Sequence, residues 1–329
     1  MIWWKASRPK RLRTLAGVAA IVLAACTGGS ETEKGSSQDG NDADAERCSL
    51  LDEMPTGKIA FTRYADDGST AIYLMDPDGS NRTCVVDTGD HDHAPAWSPD
   101  GTELVFQRGA DRFDGDIWLL NADGSGLRQL TDDDGGEFSP SWSPDGQQIV
   151  YGYSETGTEG GPFAIRTVAA DGSGGGTLIR GADDYEYVGS PVWSPDGTGV
   201  AFQTDAGEGT QLRWMGSDGS RVTLLVDGPG FSDGGGAAWA PDGSQIVFAS
   251  DRCVGCIMLI HPDGTGLARF LSVDPGASLE LTWSPDGDMI AWAGGTKGPA
   301  DAYVVEVSGG EPVLIDDTAT MAELAWQPV

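Results

Sequence analysis

The chain has 329 residues, 49 of them Gly and 18 Pro, and a formal net charge of −31. That much Gly and Pro leaves no room for long helices or coiled coils, while 11 Trp and regular apolar runs exclude wholesale disorder. The negative charge excludes a nucleic-acid partner, whose phosphates would be repelled.

Residues 1–25 carry Lys5, Arg8, Lys10, Arg11 and Arg13 and no acid, followed by an apolar stretch from Leu15 to Ala25. The stretch is too short for a mature membrane span and has the layout of a secretory signal. Leu23-Ala24-Ala25-Cys26 resembles a bacterial lipobox, in which the Cys26 thiol is lipidated and becomes the first residue after cleavage. Loss of residues 1–25 removes five basic residues and leaves 15 against 51 acids, a net charge of −36. The acyl chains, at about 0.8 kcal/mol per buried methylene, would then be the membrane contact, because so acidic a body is repelled by anionic lipid. Residues 26–56 read as the lipidated Cys and a flexible acidic linker of Gly, Ser, Asp, Glu and Asn.

From residue 57 onward a word repeats. Trp97-Ser98-Pro99-Asp100-Gly101 returns with its Trp at 142, 193, 239 and 283, the fourth copy having Ala240 for Ser, and a truncated copy, Trp326-Gln327-Pro328, ends the chain. Pro presets φ for a tight turn, Asp tolerates the next position and Gly exits with positive φ, so each word is a hairpin turn. An apolar strand follows each word: Glu103–Arg108, Gln148–Tyr153, Gly199–Thr204, Gln245–Ser250 and Met289–Gly294, with Lys58–Tyr64 matching them before the first word. A third strand, a second turn such as Asp78-Gly79 or Asp123-Gly124, and a fourth strand such as Thr83–Val86, Leu127–Leu130 or Thr223–Val226 complete the unit.

Four antiparallel strands in about 45 residues is the arithmetic of a propeller blade. Residues 57–329 hold six such periods. The first blade lacks its own first strand, and the chain ends on a lone one, Glu323–Trp326. The predicted fold is therefore an all-β, six-bladed propeller whose C-terminal strand joins the N-terminal blade. Each repeated Trp is expected in the core between blades.

This word, with its following strand and second Asp-Gly turn, resembles the WD40-like repeat of TolB-type propellers over residues 57–329. The resemblance implies a protein-binding propeller. TolB-like proteins carry an α/β domain before the propeller and are soluble in the periplasm, whereas here a lipobox and linker precede it. The same repeat also precedes the hydrolase domain of prolyl-oligopeptidase-type peptidases. Gly230-Phe231-Ser232-Asp233-Gly234 copies a nucleophile elbow in letters, but it lies before Trp239 with no α/β domain to hold partners.

His261 reads as a turn residue. His91 and His93 alternate in an extended segment, so both rings face one side and are weak metal candidates; otherwise the segment is a solvated loop before a strand Ala94–Trp97. The connections from fourth to first strands carry Asp90 and Asp92; Asp132, Asp133, Asp134 and Glu137; Asp183 and Asp184; Asp227 and Asp233; and Asp316 and Asp317. Gathered on one face, they form a candidate ring for Ca²⁺ or a cationic partner; the alternative is a solubilising acidic surface. With Cys26 lipidated, four Cys remain. Cys253 and Cys256 are expected to form a local disulfide, and Cys48 with Cys84 a second.

The sequence therefore predicts a monomeric, lipid-anchored extracytoplasmic propeller of the bacterial envelope, facing the periplasm or the outside. It would act as a non-enzymatic scaffold for an envelope protein or cationic ligand, with no cofactor required. The alternatives are a propeller lyase, cyclase or hydrolase on sugars or peptides, with His91, His93 and the Asp ring as its acid/base and metal groups, and the sensor of an envelope signalling system.

Overall fold

The computed structural model describes residues 57–328 except 111–112, 159–160, 182–184, 186, 206–208, 228–235, 251–254, 274–277 and 296–299. The word's Ser has a role that the turn chemistry alone does not reveal. Ser98 Oγ donates to Asp100 Oδ1 (2.7 Å) and accepts from the Glu103 amide (2.9 Å), tying the turn to the strand that follows. Ser143, Ser194 and Ser284 repeat the bond to Asp. Where Ala240 stands that bond is absent, and Asp242 keeps the contact with the amide two residues on, Ser244, that the other turns also make.

These turns link the strands into antiparallel sheets. Blade 1 begins with β1 (Ile59–Tyr64), β2 (Thr70–Met75) and β3 (Thr83–Val86). Blade 2 is β4 (Asp92–Trp97), β5 (Glu103–Gly109), β6 (Gly115–Asn121) and β7 (Arg128–Gln129). Blade 3 is β8 (Gly136–Trp142), β9 (Gln148–Ser154), β10 (Phe163–Ala169) and β11 (Gly176–Arg180), and blade 4 is β12 (Tyr187–Trp193), β13 (Gly199–Asp205), β14 (Thr210–Gly216) and β15 (Thr223–Val226). Blade 5 is β16 (Ala237–Trp239), β17 (Ile246–Ser250), β18 (Cys256–Ile260) and β19 (Ala268–Ser272). Blade 6 is β20 (Ser278–Trp283), β21 (Met289–Gly295), β22 (Ala300–Glu306) and β23 (Val313–Trp326). The fourth strand of blade 2, expected over Leu127–Leu130, keeps only two residues in the ladder.

The closing strand is longer than the sequence suggests. Instead of starting at Glu323, β23 runs unbroken from Val313, because no Gly or Pro interrupts residues 313–326. Its first part pairs with β22 (Val304 with Val313) and its last part with β1 (Ile59 with Trp326), so one strand is the outer edge of blade 6 and the inner edge of blade 1. Gln327 locks the join: its amide donates to Lys58 O (2.8 Å), its Oε1 accepts from the Lys58 amide (3.0 Å) and its Nε2 donates to Gly101 O (2.8 Å).

Six apolar clusters fill the six blade interfaces. Each holds a buried aromatic at the same place in the second strand: Phe61, Phe106, Tyr151, Phe202, Phe248 and Trp292. The repeated tryptophans pack in these interfaces as expected. Two also bond across them, Trp97 Nε1 to Ala325 O and Trp283 Nε1 to Ala238 O, both at 3.2 Å.

Removing residues 321–329 strips β1 of its partner and takes buried Met321 and Leu324 from the core. Large-to-small losses of that kind cost about 2–5 kcal/mol each, against a total stability of about 5–15 kcal/mol. The truncated chain is expected to lose its single cooperative thermal transition by circular dichroism; an unchanged melt would mean that other contacts close the ring.

Candidate functional site in the central channel

The inner strands of all six blades surround a central cavity of about 860 Å³. Its lining repeats, because the residue three places before each Trp faces it: Ala94, Ser139, Ser190, Gly236, Glu280 and Glu323. At four of these positions the backbone is left-handed without being Gly, with φ of 50° at Ala94, 50° at Ser139, 47° at Ser190 and 53° at Glu323. The ladder slips at each of them. These are β-bulges, which re-aim a side chain at a local cost of about 1–3 kcal/mol.

The lining is lopsided. Blades 3 and 4 present Ser139, Pro140, Ser190 and Pro191, whereas Tyr64, His91, His93, Glu280 and Glu323 stand on the side of blades 6, 1 and 2. Glu323 Oε2 accepts from Thr62 Oγ1 and from the Ala94 amide, both at 2.7 Å, and lies 3.7 Å from His93 Nδ1. His93 Nε2 is 3.5 Å from Thr70 Oγ1. Burial pulls the His93 ring downward, but the bond to Glu323 and its charge outweigh this, and the net pKa lies above the usual histidine value. For Glu323 burial pushes upward, yet His93, the Ala94 amide and Thr62 hold the carboxyl below its ordinary value. Burial, then the charges of Glu323 and Glu280, raise the Tyr64 hydroxyl.

The expected solvated loop before Ala94–Trp97 is instead part of the sheet: β4 starts at Asp92, and His91 bridges to Thr70. Burial of Asp92 draws the segment inward, since its carboxylate takes Arg108 in a bidentate pair at 2.6 and 3.1 Å. The rings of His91 and His93 stack at 6.3 Å with planes 4° apart. No set of three or more His, Cys, Asp or Glu side chains among the described residues is arranged to hold a metal ion.

The described acids of the candidate ring have several settings, and none of them lines the cavity. Asp316 is buried against Arg82 at 2.8 Å, and Asp133 pairs with Arg166 at 2.8 Å. Asp227 accepts from Gln211 (2.9 Å) and Asp90 from Thr88 (3.0 Å), while Asp132, Asp134 and Asp317 are exposed. Asp183, Asp184, Asp233 and Ser232 lie outside the described residues, as do Cys26, Cys48 and Cys253. Cys84 and Cys256 are buried, and neither is a free thiol. His261 sits in its turn, with Nδ1 3.0 Å from Ser244 O.

The carboxylates that do reach the channel, Glu280 and Glu323, stand on inner strands and not in the acidic loops. The signal lay in the register, three residues before Trp283 and Trp326.

Glu137 stands five residues before its Trp, like Asp92, but without a matching Arg. It is buried, its Oε1 has no hydrogen-bond partner among the described residues, and its Oε2 is 3.3 Å from Thr131 Oγ1. Burial, then the charges of Asp116 and Asp133, push its pKa from 4.5 to about 9. A raised carboxyl favours the native state fully below the unfolded pKa, and that contribution is lost as pH rises toward the folded pKa. Glu137→Gln is therefore expected to be close to neutral at pH about 4, with an advantage growing up to pH about 9 by at most about 1.4 kcal/mol per pH unit. Urea unfolding at several pH values checks this; a pH-independent difference would refute it.

Residues 54–175 match the family model described as the TolB beta propeller domain. No curated protein compared with the chain matches it. Among solved structures, TolB from Acinetobacter baumannii is similar at 18% identity and a TM-score of 0.68, over 83% of this chain and 67% of that one. A nidogen/laminin complex chain is similar at 10% identity and TM-score 0.67 (82% and 98% covered). An oligogalacturonate lyase in complex with manganese is similar at 17% and 0.56 (78% and 73% covered). Identities this low carry the fold alone. Together with the repeated Trp-Ser-Pro-Asp-Gly word and the strand-by-strand architecture, they make the chain a six-bladed β-propeller, of which residues 54–175 match the TolB propeller model.

Proposed function

We propose that the protein is exported, anchored by a lipid on Cys26, and acts as a non-enzymatic binding scaffold in the bacterial envelope whose channel receives part of a partner protein. The observation that carries this reading is the channel itself: a cavity of about 860 Å³, walled by small and apolar side chains, with its titratable groups gathered on one side. Such a mix, apolar walls and a few placed polar groups, is what binding sites offer. The acidic body suits attraction of a cationic partner, and no cofactor is needed. Disulfides from Cys253 to Cys256 and from Cys48 to Cys84 belong to the same reading, as structural bonds of an exported protein.

One observation favours catalysis. Glu323, His93 and Thr70 stand in the order of an acid, a base and a hydroxyl nucleophile. Thr70 lines the cavity but is only 2% exposed, so its hydroxyl offers little surface to a substrate carbonyl. Binding is the better-supported reading.

Ser139 lines the wall opposite the polar crescent, and Ser139→Trp fills that space. In pull-downs from detergent-solubilised envelope the wild-type protein is expected to retain a partner. The variant, melting normally, is expected to lose at least about tenfold of it, equivalent to about 1.4 kcal/mol. Equal recovery by both would remove the channel from the binding surface, and no partner beside a working control would overturn the scaffold reading.

The anchor is tested separately. Cys26→Ser is expected to abolish incorporation of labelled palmitate into the protein, and unchanged labelling would refute lipidation at that residue.

A further inference from the structure

We propose that Glu280 and Glu323, with the ring of Tyr64 and the stacked His91 and His93, form a recognition site in the channel for the guanidinium of an arginine side chain on the partner protein. The proposal rests on the binding reading above and names the chemistry of the group that enters.

Room for the first carboxylate is built in. A Cβ at Gly236 would stand 2.8 Å from Glu280 Oε2, so blade 5 gives up its side chain at the repeat position where Glu280 leans in. Glu280 itself stands on an unbulged strand, in unbroken register with β21 from Ser278 to Trp283.

The second carboxylate is half used. Thr62, the Ala94 amide and His93 all address Oε2 of Glu323, and no described residue addresses Oε1. The Glu323 side chain keeps 26% exposure in the channel, so that oxygen is available to a ligand.

Beside Glu323 stands a flat π surface. The Tyr64 ring feels both carboxylate charges and lies 6.3 Å from the His93 ring, which stacks on His91. A guanidinium suits this setting better than a compact ammonium, because its planar face stacks on rings while its edge donates to carboxylates. A divalent ion suits it less, since the described residues provide no three-ligand set.

The site also carries its own release. His93 faces Glu323 from β23 and Tyr64 from β1, with Asp92 and His91 beside it on its own strand. At neutral pH the two carboxylates outweigh the His93 imidazole. Acidification charges that ring, offsets the Glu323 carboxylate and weakens the hold on a cation.

The test uses the purified protein and isothermal titration calorimetry at pH 7.5. The probes are a blocked Gly-Arg-Gly tripeptide, the same peptide with citrulline for arginine, agmatine as a free guanidinium, and calcium chloride. The arginine peptide is expected to bind more tightly than agmatine, and at least about tenfold more tightly than the citrulline peptide, the loss expected for one charged pair. Glu280→Gln and Gly236→Ala should each weaken it to a similar degree at unchanged melting temperature, and binding should fall from pH 7.5 to 5.5. Glu280→Gln tests the charge without touching the Glu323 contacts that join the blades. Equal binding of the citrulline peptide, or insensitivity to both variants, would overturn the site. Tighter binding of agmatine would assign it to a free small molecule instead of a partner's side chain, and displacement of the peptide by micromolar calcium would assign it to a metal. Partner capture without probe binding refutes the guanidinium site alone; probe binding without any captured partner refutes the scaffold reading alone.

Discussion

A four-stranded blade has two apolar faces and cannot bury either by itself, and everything else in this molecule follows from that constraint. The faces find cover only in a ring, and a ring is stable only if its last interface closes. Here the ring closes through backbone hydrogen bonds, where β1 from the start of the propeller pairs with β23 from its end. That single strand also pairs with β22, so blades 6 and 1 share it without an intervening loop. Gln327 adds bonds to Lys58 and to the Gly101 carbonyl of blade 2, spreading the closure over three blades.

The repeat was legible because its physics is local. Pro, Asp and Gly specify the turn wherever they occur together, the Trp marks the strand end, and the apolar alternation after the word marks the next strand. Strand ends were less legible where the outcome depends on distant partners. The segment containing His91 and His93 looks polar, and only the Arg108 guanidinium, reaching Asp92 from the neighbouring strand, makes its burial tolerable. The long closing strand was likewise hidden, since Asp316 and Asp317 look like turn residues until Arg82 is seen to neutralise Asp316.

The site was harder to read for a different reason. Acidic loops draw the eye by density, yet most of their described carboxylates are tied to nearby Arg, Thr or Gln side chains or face open solvent. The channel is lined by single residues spaced one blade apart, so no window of sequence shows them together. Only alignment of the six tryptophans stacks Ala94, Ser139, Ser190, Gly236, Glu280 and Glu323 in one column. The left-handed backbone at four of them is then intelligible. A regular strand would alternate its side chains, and the bulge turns that position toward the axis.

Symmetry of the backbone makes departures from it informative. At the position five residues before the Trp, blade 2 buries Asp92 against Arg108, while blade 3 buries Glu137 with one oxygen unpaired. Both are costly relative to the Val188 that blade 4 places there, so neither is explained by the stability of the ring alone. In the channel, small residues at Ala94, Ser139, Ser190 and Gly236 keep the bore open and ask nothing of a ligand. The two glutamates do ask something, and they fall on adjacent inner strands, β20 and β23. That places the charged half of the channel at the seam. A group bound between Glu280 and Glu323 would touch blade 6 and the closing strand together, so occupancy and closure of the ring would reinforce each other. A scaffold of repeated, interchangeable interfaces thus gains a distinct direction at the one interface that is not interchangeable.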